Sequence, residues 1–221
     1  LGVGSANFLV LGTIQGQVIN QAVPVINTPT IALGNVRVGD TAPTQFVSVT
    51  NQATVAPQAA LNASISTASP LTASGSFNLL APGATNSSSL QVGMTTAAAG
   101  SRNGIATLSF VSDASNVGGC EPNCQLALPS QNVNITGGVY QIAQANLPAN
   151  VNLGNFRLGS APGQTIAISN TNVAPAGYQE GLDASIGGVT GSATASGGPI
   201  ANLAQGATSN AISVGINSST A

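Results

Sequence analysis

The one compact grouping of chemically versatile side chains is Cys120-Glu121-Pro122-Asn123-Cys124. A zinc site there would need further thiolate, imidazole or carboxylate ligands, and the chain has no His and no third Cys. The spacing is one residue longer than the C-x-x-C of redox proteins. A disulfide closing a small loop between two strands is the natural reading, because Pro122 and Asn123 favour a turn that brings the sulfurs together. Reduced thiols are the alternative. A bridge implies an oxidising compartment, and a loop this short gives only modest, local stabilisation.

The remaining candidates are five acids, Asp40, Asp113, Glu121, Glu180 and Asp183. Glycosidase chemistry needs two convergent carboxylates, and Glu180 with Asp183 is the only near pair. Asp183 reads as a strand position matching Asn62, so the pair reads as solvated. No loop is dense enough in acids for calcium. Ser and Thr are abundant, but no His or Lys is present to activate one as a nucleophile. The sequence thus predicts a protein that is not an enzyme, with no catalytic, cofactor-binding or metal-ligating residues.

Charge excludes a further class. The cations are Arg37, Arg102 and Arg157, and charged residues make up 4% of the 221, against about 25% in ordinary soluble domains. Phosphate recognition depends on clustered cations, so no nucleic-acid partner is expected. A net charge of -2 offers little repulsion between copies. No apolar run is long enough to span a bilayer, and Phe8–Leu11 is the most apolar stretch. The chain begins with Leu, which suggests a processed product or a segment of something longer.

What positions these residues is a series of short strands. Apolar residues alternate with polar ones in Phe46-Val47-Ser48-Val49-Thr50 and Ile105-Ala106-Thr107-Leu108-Ser109-Phe110, and Gly, Pro, Asn and Ser clusters separate such runs. The first half is expected to hold strands near 30–38, 44–51, 59–66, 70–79, 87–95, 103–112 and 125–140.

The sequence also matches itself. Ile31-Ala32-Leu33-Gly34-Asn35-Val36-Arg37-Val38-Gly39 reappears as Val151-Asn152-Leu153-Gly154-Asn155-Phe156-Arg157-Leu158-Gly159. Downstream, Val47, Val49 and Asn51 match Ile166, Ile168 and Asn170, Leu61 and Ile65 match Leu182 and Ile186, and Leu90, Val92 and Met94 match Ile212, Val214 and Ile216. Exchanges of Val, Leu and Ile at matched positions suit sites facing a core. The Gly at 34 and 154 predicts a bulge that lets Leu33 and then Val36 and Val38 all point inward. Arg37 and Arg157, being equivalent, are expected to share a structural role. The fold class is therefore all-β, with tandem immunoglobulin-like β-sandwiches.

The repeated opening phrase, followed by an alternating strand ending in Asn51 or Asn170, resembles the Hydin-type (ASH) immunoglobulin-like domain. More closely it resembles the bacterial repeat proteins called choice-of-anchor D, over nearly all of both units. The resemblance implies a surface-displayed, anchored or assembled protein with no catalytic residues. Leu33 and Leu153 stand where that family usually has an aromatic.

The two units are unequal. Nothing in the second corresponds to residues 100–140, which carry two strands, while Ile14-Gln15-Gly16-Gln17-Val18 matches Ile135-Thr136-Gly137-Gly138-Val139. The expected organisation is a strand belonging to a preceding or neighbouring unit (1–21), a complete domain (22–140) and a second domain lacking its final strands (141–221). The expected function is a building block of an extracellular filament or surface array, joined head to tail by β-strand addition. Phe8, Val10, Ile14 and Val18 would form the assembly strand, and Ile212, Val214 and Ile216 the open core that receives it. The partners are then copies of the chain, or adjacent repeats of a longer one. The alternative is a cell-surface adhesin or carbohydrate-binding module, with Tyr178 as the one loop aromatic that could serve.

Overall fold

A two-residue period governs burial through the first unit. In β3 (Thr44–Asn51) the buried side chains are Val47, Val49 and Asn51, and in β9 (Gly104–Asp113) Ala106, Leu108, Phe110 and Ser112 alternate inward before Asp113. The computed structural model describes residues 16–118, 120 and 123–219. Among these there is no helix, and so none long and apolar enough to cross a membrane.

The first sheet has the order β1 (Pro24–Ile26), β3, β7 (Thr85–Met94), β5 (Leu71–Ser74). The second has the order β2 (Thr30–Arg37), β10 (Gln125–Tyr140), β9, β4 (Ala60–Thr67), β6 (Ser76–Leu80), with β8 (Gly100–Ser101) also paired to β10. Their inner faces enclose one core that includes Leu61, Leu90, Met94, Leu108, Phe110 and Ile135, each at most 1% exposed. The pair is an immunoglobulin-like sandwich. All its pairings are antiparallel except β2 with β10.

Two glycines shape this sandwich. Gly34 has φ 79°, and the β2–β10 register shifts there, from Ala32 opposite Thr136 to Gly34 opposite Gly137. The bulge turns the inward face over, so Ile31 and Leu33 are buried and Val36 and Val38 still pack on the core. Gly75 divides what the sequence predicts as one strand over 70–79. Its φ is 105°, and a Cβ there would lie 1.8 Å from the Ser89 carbonyl oxygen. The chain therefore kinks, leaving β5 in the first sheet and β6 in the second.

In the second half the order β11 (Ala145–Asn146), β12 (Gly163–Asn170), β16 (Thr208–Ile216), β14 (Ala193–Gly197) repeats the first sheet strand for strand. Gly197, with φ 117°, repeats the Gly75 kink between β14 and β15 (Ile200–Leu203). The other sheet is reduced to two strands, β13 (Leu182–Ala184) and β15, the counterparts of β4 and β6. Residues 151–158 repeat the β2 sequence and keep the left-handed Gly154, φ 76°, but form no strand.

Candidate assembly site

Sheet order explains why residues 151–158 are not a strand. In the first sandwich β2 has one neighbour, β10, and β4 meets β10 only through β9. The described residues of the second half supply neither β9 nor β10, so the β2-like segment has no ladder to join. Among the described residues nothing fills the two strand positions between residues 151–158 and β13, and residues 151–158 are paired in no ladder.

The gap also leaves apolar surface. Leu90, Val92 and Met94 are at most 1% exposed, whereas of their counterparts Ile212 is buried and Val214 and Ile216 are only half-buried. Leu153 and Ile186 are likewise half-buried where Leu33 and Ile65 are buried. Phe156 is 39% exposed and Leu158 67%, although their counterparts Val36 and Val38 pack on the first core. Burial falls off towards the missing strands.

The second half is nonetheless held in shape. Asn170 donates its Nδ2 to the carbonyls of Glu180 (2.9 Å) and Leu203 (3.0 Å) and accepts from the Gln144 amide (3.1 Å). Gln179 donates to the Asn170 Oδ1 (2.7 Å) and the Thr171 carbonyl (2.7 Å) and accepts from the Val173 amide (3.0 Å). Asn51 and Gln58 make the same set of bonds in the first sandwich, to Ala59, Leu80, Val23, Gln52 and Thr54. Both asparagines are fully buried. Asn51 and Asn170 stand out in the sequence repeat; Gln58 and Gln179, absent from the sequence reading above, share the same signal, identical type at matched positions. At the rim, Gly159 donates to the Ser218 carbonyl (3.0 Å) as Gly39 does to Thr96 (3.0 Å), so the turn after residues 151–158 is already formed.

Of the expected assembly strand, Phe8, Val10 and Ile14 lie outside the described residues, and Val18 is 86% exposed. The segment leaving it docks on the first sandwich in a way that is repeated. The Asn20 amide donates to the Pro57 carbonyl (2.9 Å) and the Asn20 carbonyl accepts from the Ala59 amide (2.8 Å). Gln141, which follows β10, makes the equivalent bonds with Tyr178 and Glu180, both 2.9 Å. Asn20 thus meets the first unit as Gln141 meets the second, each also forming an isolated parallel bridge, to Gln58 and Gln179.

The joint between the two halves has side chains of its own. The Arg37 Nε donates to the Glu180 Oε1 at 2.6 Å, which raises the arginine pKa further, and Tyr140 faces Tyr178 with ring centroids 5.4 Å apart. Arg37, Glu180 and Tyr140 line a cleft of about 500 Å³ together with Asn35, Val36 and Asp40. The shared role expected of the two arginines is not found. Arg37 pairs across the joint, while Arg157 has no side-chain partner among the described residues. Tyr178, the aromatic considered for an adhesin, packs on Tyr140.

Cys120 and Cys124 are bonded, with sulfurs 2.06 Å apart, in the loop joining β9 to β10. Beside them Asp113 accepts from Asn62 (2.9 Å), Gln125 (2.8 Å) and the Ser115 amide (3.0 Å). The bonds from Ser115 contribute most to lowering its pKa to about 2. Glu180 and Asp183 do not converge on one point: Glu180 is turned to Arg37, and Asp183 accepts from the Asn202 amide at 2.6 Å, as Asn62 does from Leu79 at 2.7 Å. Among the described residues no three potential metal ligands cluster.

No protein-family model and no curated protein matches the chain. Among solved structures the chain is similar to the ASH / PapD-like domain of human CEP192 (PapD-like domain 7), with 10% identity and a TM-score of 0.39 over 62% of this chain and 99% of that domain. The sandwich stands on the pairing described above, and that likeness adds nothing about partners.

Proposed function

We infer that the chain is a non-enzymatic building block of an extracellular filament or surface array, in which a strand from one unit adds to the open second unit of the next. One observation carries this reading: residues 151–158 repeat a strand sequence, keep its left-handed glycine, and have no strand beside them among the described residues. The leading segment repeats the sequence of the strand that β2 pairs with. Strand addition would satisfy the unpaired backbone and bury Val214, Ile216 and Phe156 together. The Cys120–Cys124 bond suits an oxidising, extracellular setting. Kinship with bacterial choice-of-anchor D repeat proteins, and the boundaries 1–21, 22–140 and 141–221, belong to the same reading.

The donor is either another copy or an adjacent repeat of a longer chain, since both would present the same segment. A head-to-tail contact of this kind is heterologous, so it propagates unless a rotation closes it. The test is sedimentation of the chain with and without residues 1–18, which leaves Asn20 on Pro57 and Ala59. The intact chain is expected to form linear polymers, insensitive to salt because so few charges are present, and the shortened chain to stay monomeric. Undiminished polymerisation of the shortened chain would reject the reading.

A further inference from the structure

The first sandwich contains a template for the joint, because β10 is the strand that the leading segment resembles and β2 is the one that residues 151–158 resemble. We propose that residues 16–19 of a second copy lie parallel to residues 154–157, with Gly16 opposite Gly154, Gln17 opposite Asn155 and Val18 opposite Phe156. This rests on the strand-addition reading above and fixes its direction and register.

The pairs follow from the observed ladder. Gly137, Gly138 and Val139 face Gly34, Asn35 and Val36 in parallel, and the repeat carries each of those positions to the residues named. Three observations besides sequence point to the same place. Val18 is 86% exposed in its own copy, while Val139 is 0% exposed in β10, so the docked position is where this side chain finds a core. Asn20 already sits on Pro57 and Ala59 as Gln141 sits on Tyr178 and Glu180, so the strand can pass from a neighbour's second unit into its own first unit with no linker.

The third is Gly16. A Cβ on Gly16 would meet nothing within 4 Å among the described residues of its own chain, so none of these calls for glycine. A Cβ on Gly137 would lie 3.0 Å from the Met94 sulfur, 3.1 Å from the Gly34 carbonyl oxygen and 3.5 Å from the Leu33 Cβ. Those neighbours correspond to Ile216, Gly154 and Leu153. The glycine is thus explained by the docked position, where the two backbones cross the bulge at close range.

Register also fixes what the copies do not share. The joint between the halves uses Tyr140 on Tyr178 and Arg37 on Glu180. Transposed, these become Ile19 near Pro57 and Arg157 near Ala59. The joint between copies therefore depends on the strand and its apolar side chains, without an ion pair.

The experiment mixes a Gln17→Cys copy with an Asn155→Cys copy under mild oxidation and identifies the product by mass, beside a parallel mixture in which Arg157→Cys replaces Asn155→Cys. The Gly137–Gly34 alignment puts any side chain at 138 against the Asn35 side chain, 2.9 Å from its Oδ1, so positions 17 and 155 are expected to link. Linkage mainly through position 157 would overturn the register while leaving strand addition standing, and no linkage between copies at either position would overturn both. Gly16→Val in the Gln17→Cys copy is expected to abolish the link without lowering that copy's own melting temperature. A full yield of link from that variant would also overturn the proposed pairing.

Discussion

Met94 and Ile216 occupy the same place in the two halves, yet the first is 1% exposed and the second is half-buried. Met94→Ala removes a fully buried side chain and leaves a cavity, so it should destabilise the first sandwich by about 3 kcal/mol. Ile216→Ala removes a comparable number of carbons, worth about 0.8 kcal/mol per methylene when fully buried. Part of that surface already faces solvent and the gap leaves no closed cavity, so the cost in the dispersed chain should be about 1 kcal/mol. On the proposed docking, residues 16–19 cover Ile216, and the remainder of the cost, about 1.5 kcal/mol, is expected in assembly as roughly tenfold weaker association. Denaturant unfolding of dispersed variants measures the first pair of numbers, each against the transition of its own half. Sedimentation across a dilution series measures the last. An Ile216→Ala cost equal to that of Met94→Ala in the dispersed chain would mean that the second core is already closed, and unchanged association would mean that nothing docks over it.

Asn51→Ala should cost about 3 kcal/mol, because the carbonyls of Ala59 and Leu80 and the amide of Val23 all lose their partner in a buried site; chemical denaturation measures it. Asp113 has its folded pKa lowered to about 2 from 3.8, so its contribution to stability is full above about pH 4 and is lost as pH falls through 2. Asp113→Asn should flatten that part of a plot of melting temperature against pH. Reducing Cys120–Cys124, which closes a loop of sequence separation 4, should cost at most about 2 kcal/mol, seen as a small drop in the melting temperature of the first sandwich. Glu180→Gln should leave stability nearly unchanged, because the ion pair with Arg37 is exposed; a large drop in melting temperature would refute that view.

The alternation of Val47, Val49 and Asn51 placed β3 at its observed bounds, and the long run after the cysteines placed β10, because a buried face on one side of a strand writes itself into sequence with period two. The bulge at Gly34 was legible for a similar reason: only glycine takes that φ cheaply, and the apolar residues change phase across it. Strand pairing was less legible. Residues 151–158 carry a strand sequence but lack a strand, since a ladder needs a neighbour as well as a pattern. Half-burial of Leu153, Ile186 and Val214 follows from the same absence of covering strands. β1 and β11, of three and two residues, are too short to show a period. Arg37 was read as a repeat feature, but its partner lies in the other half, and no local pattern announces such a contact. Ile212, Val214 and Ile216 were legible as counterparts of Leu90, Val92 and Met94 from matching the halves, and the Asn170–Gln179 network beside them was only half seen.

Under the proposed assembly each copy is donor at one end and acceptor at the other, and two variants isolate those roles. A chain lacking residues 1–18 keeps its acceptor and has no donor strand, while Ile216→Asp spoils the acceptor and leaves the leading strand intact. Alone, each is expected to sediment as a monomer. Mixed in equal amounts, they are expected to give a one-to-one dimer and nothing longer. Monomers only in the mixture, or polymers from either variant alone, would contradict the account.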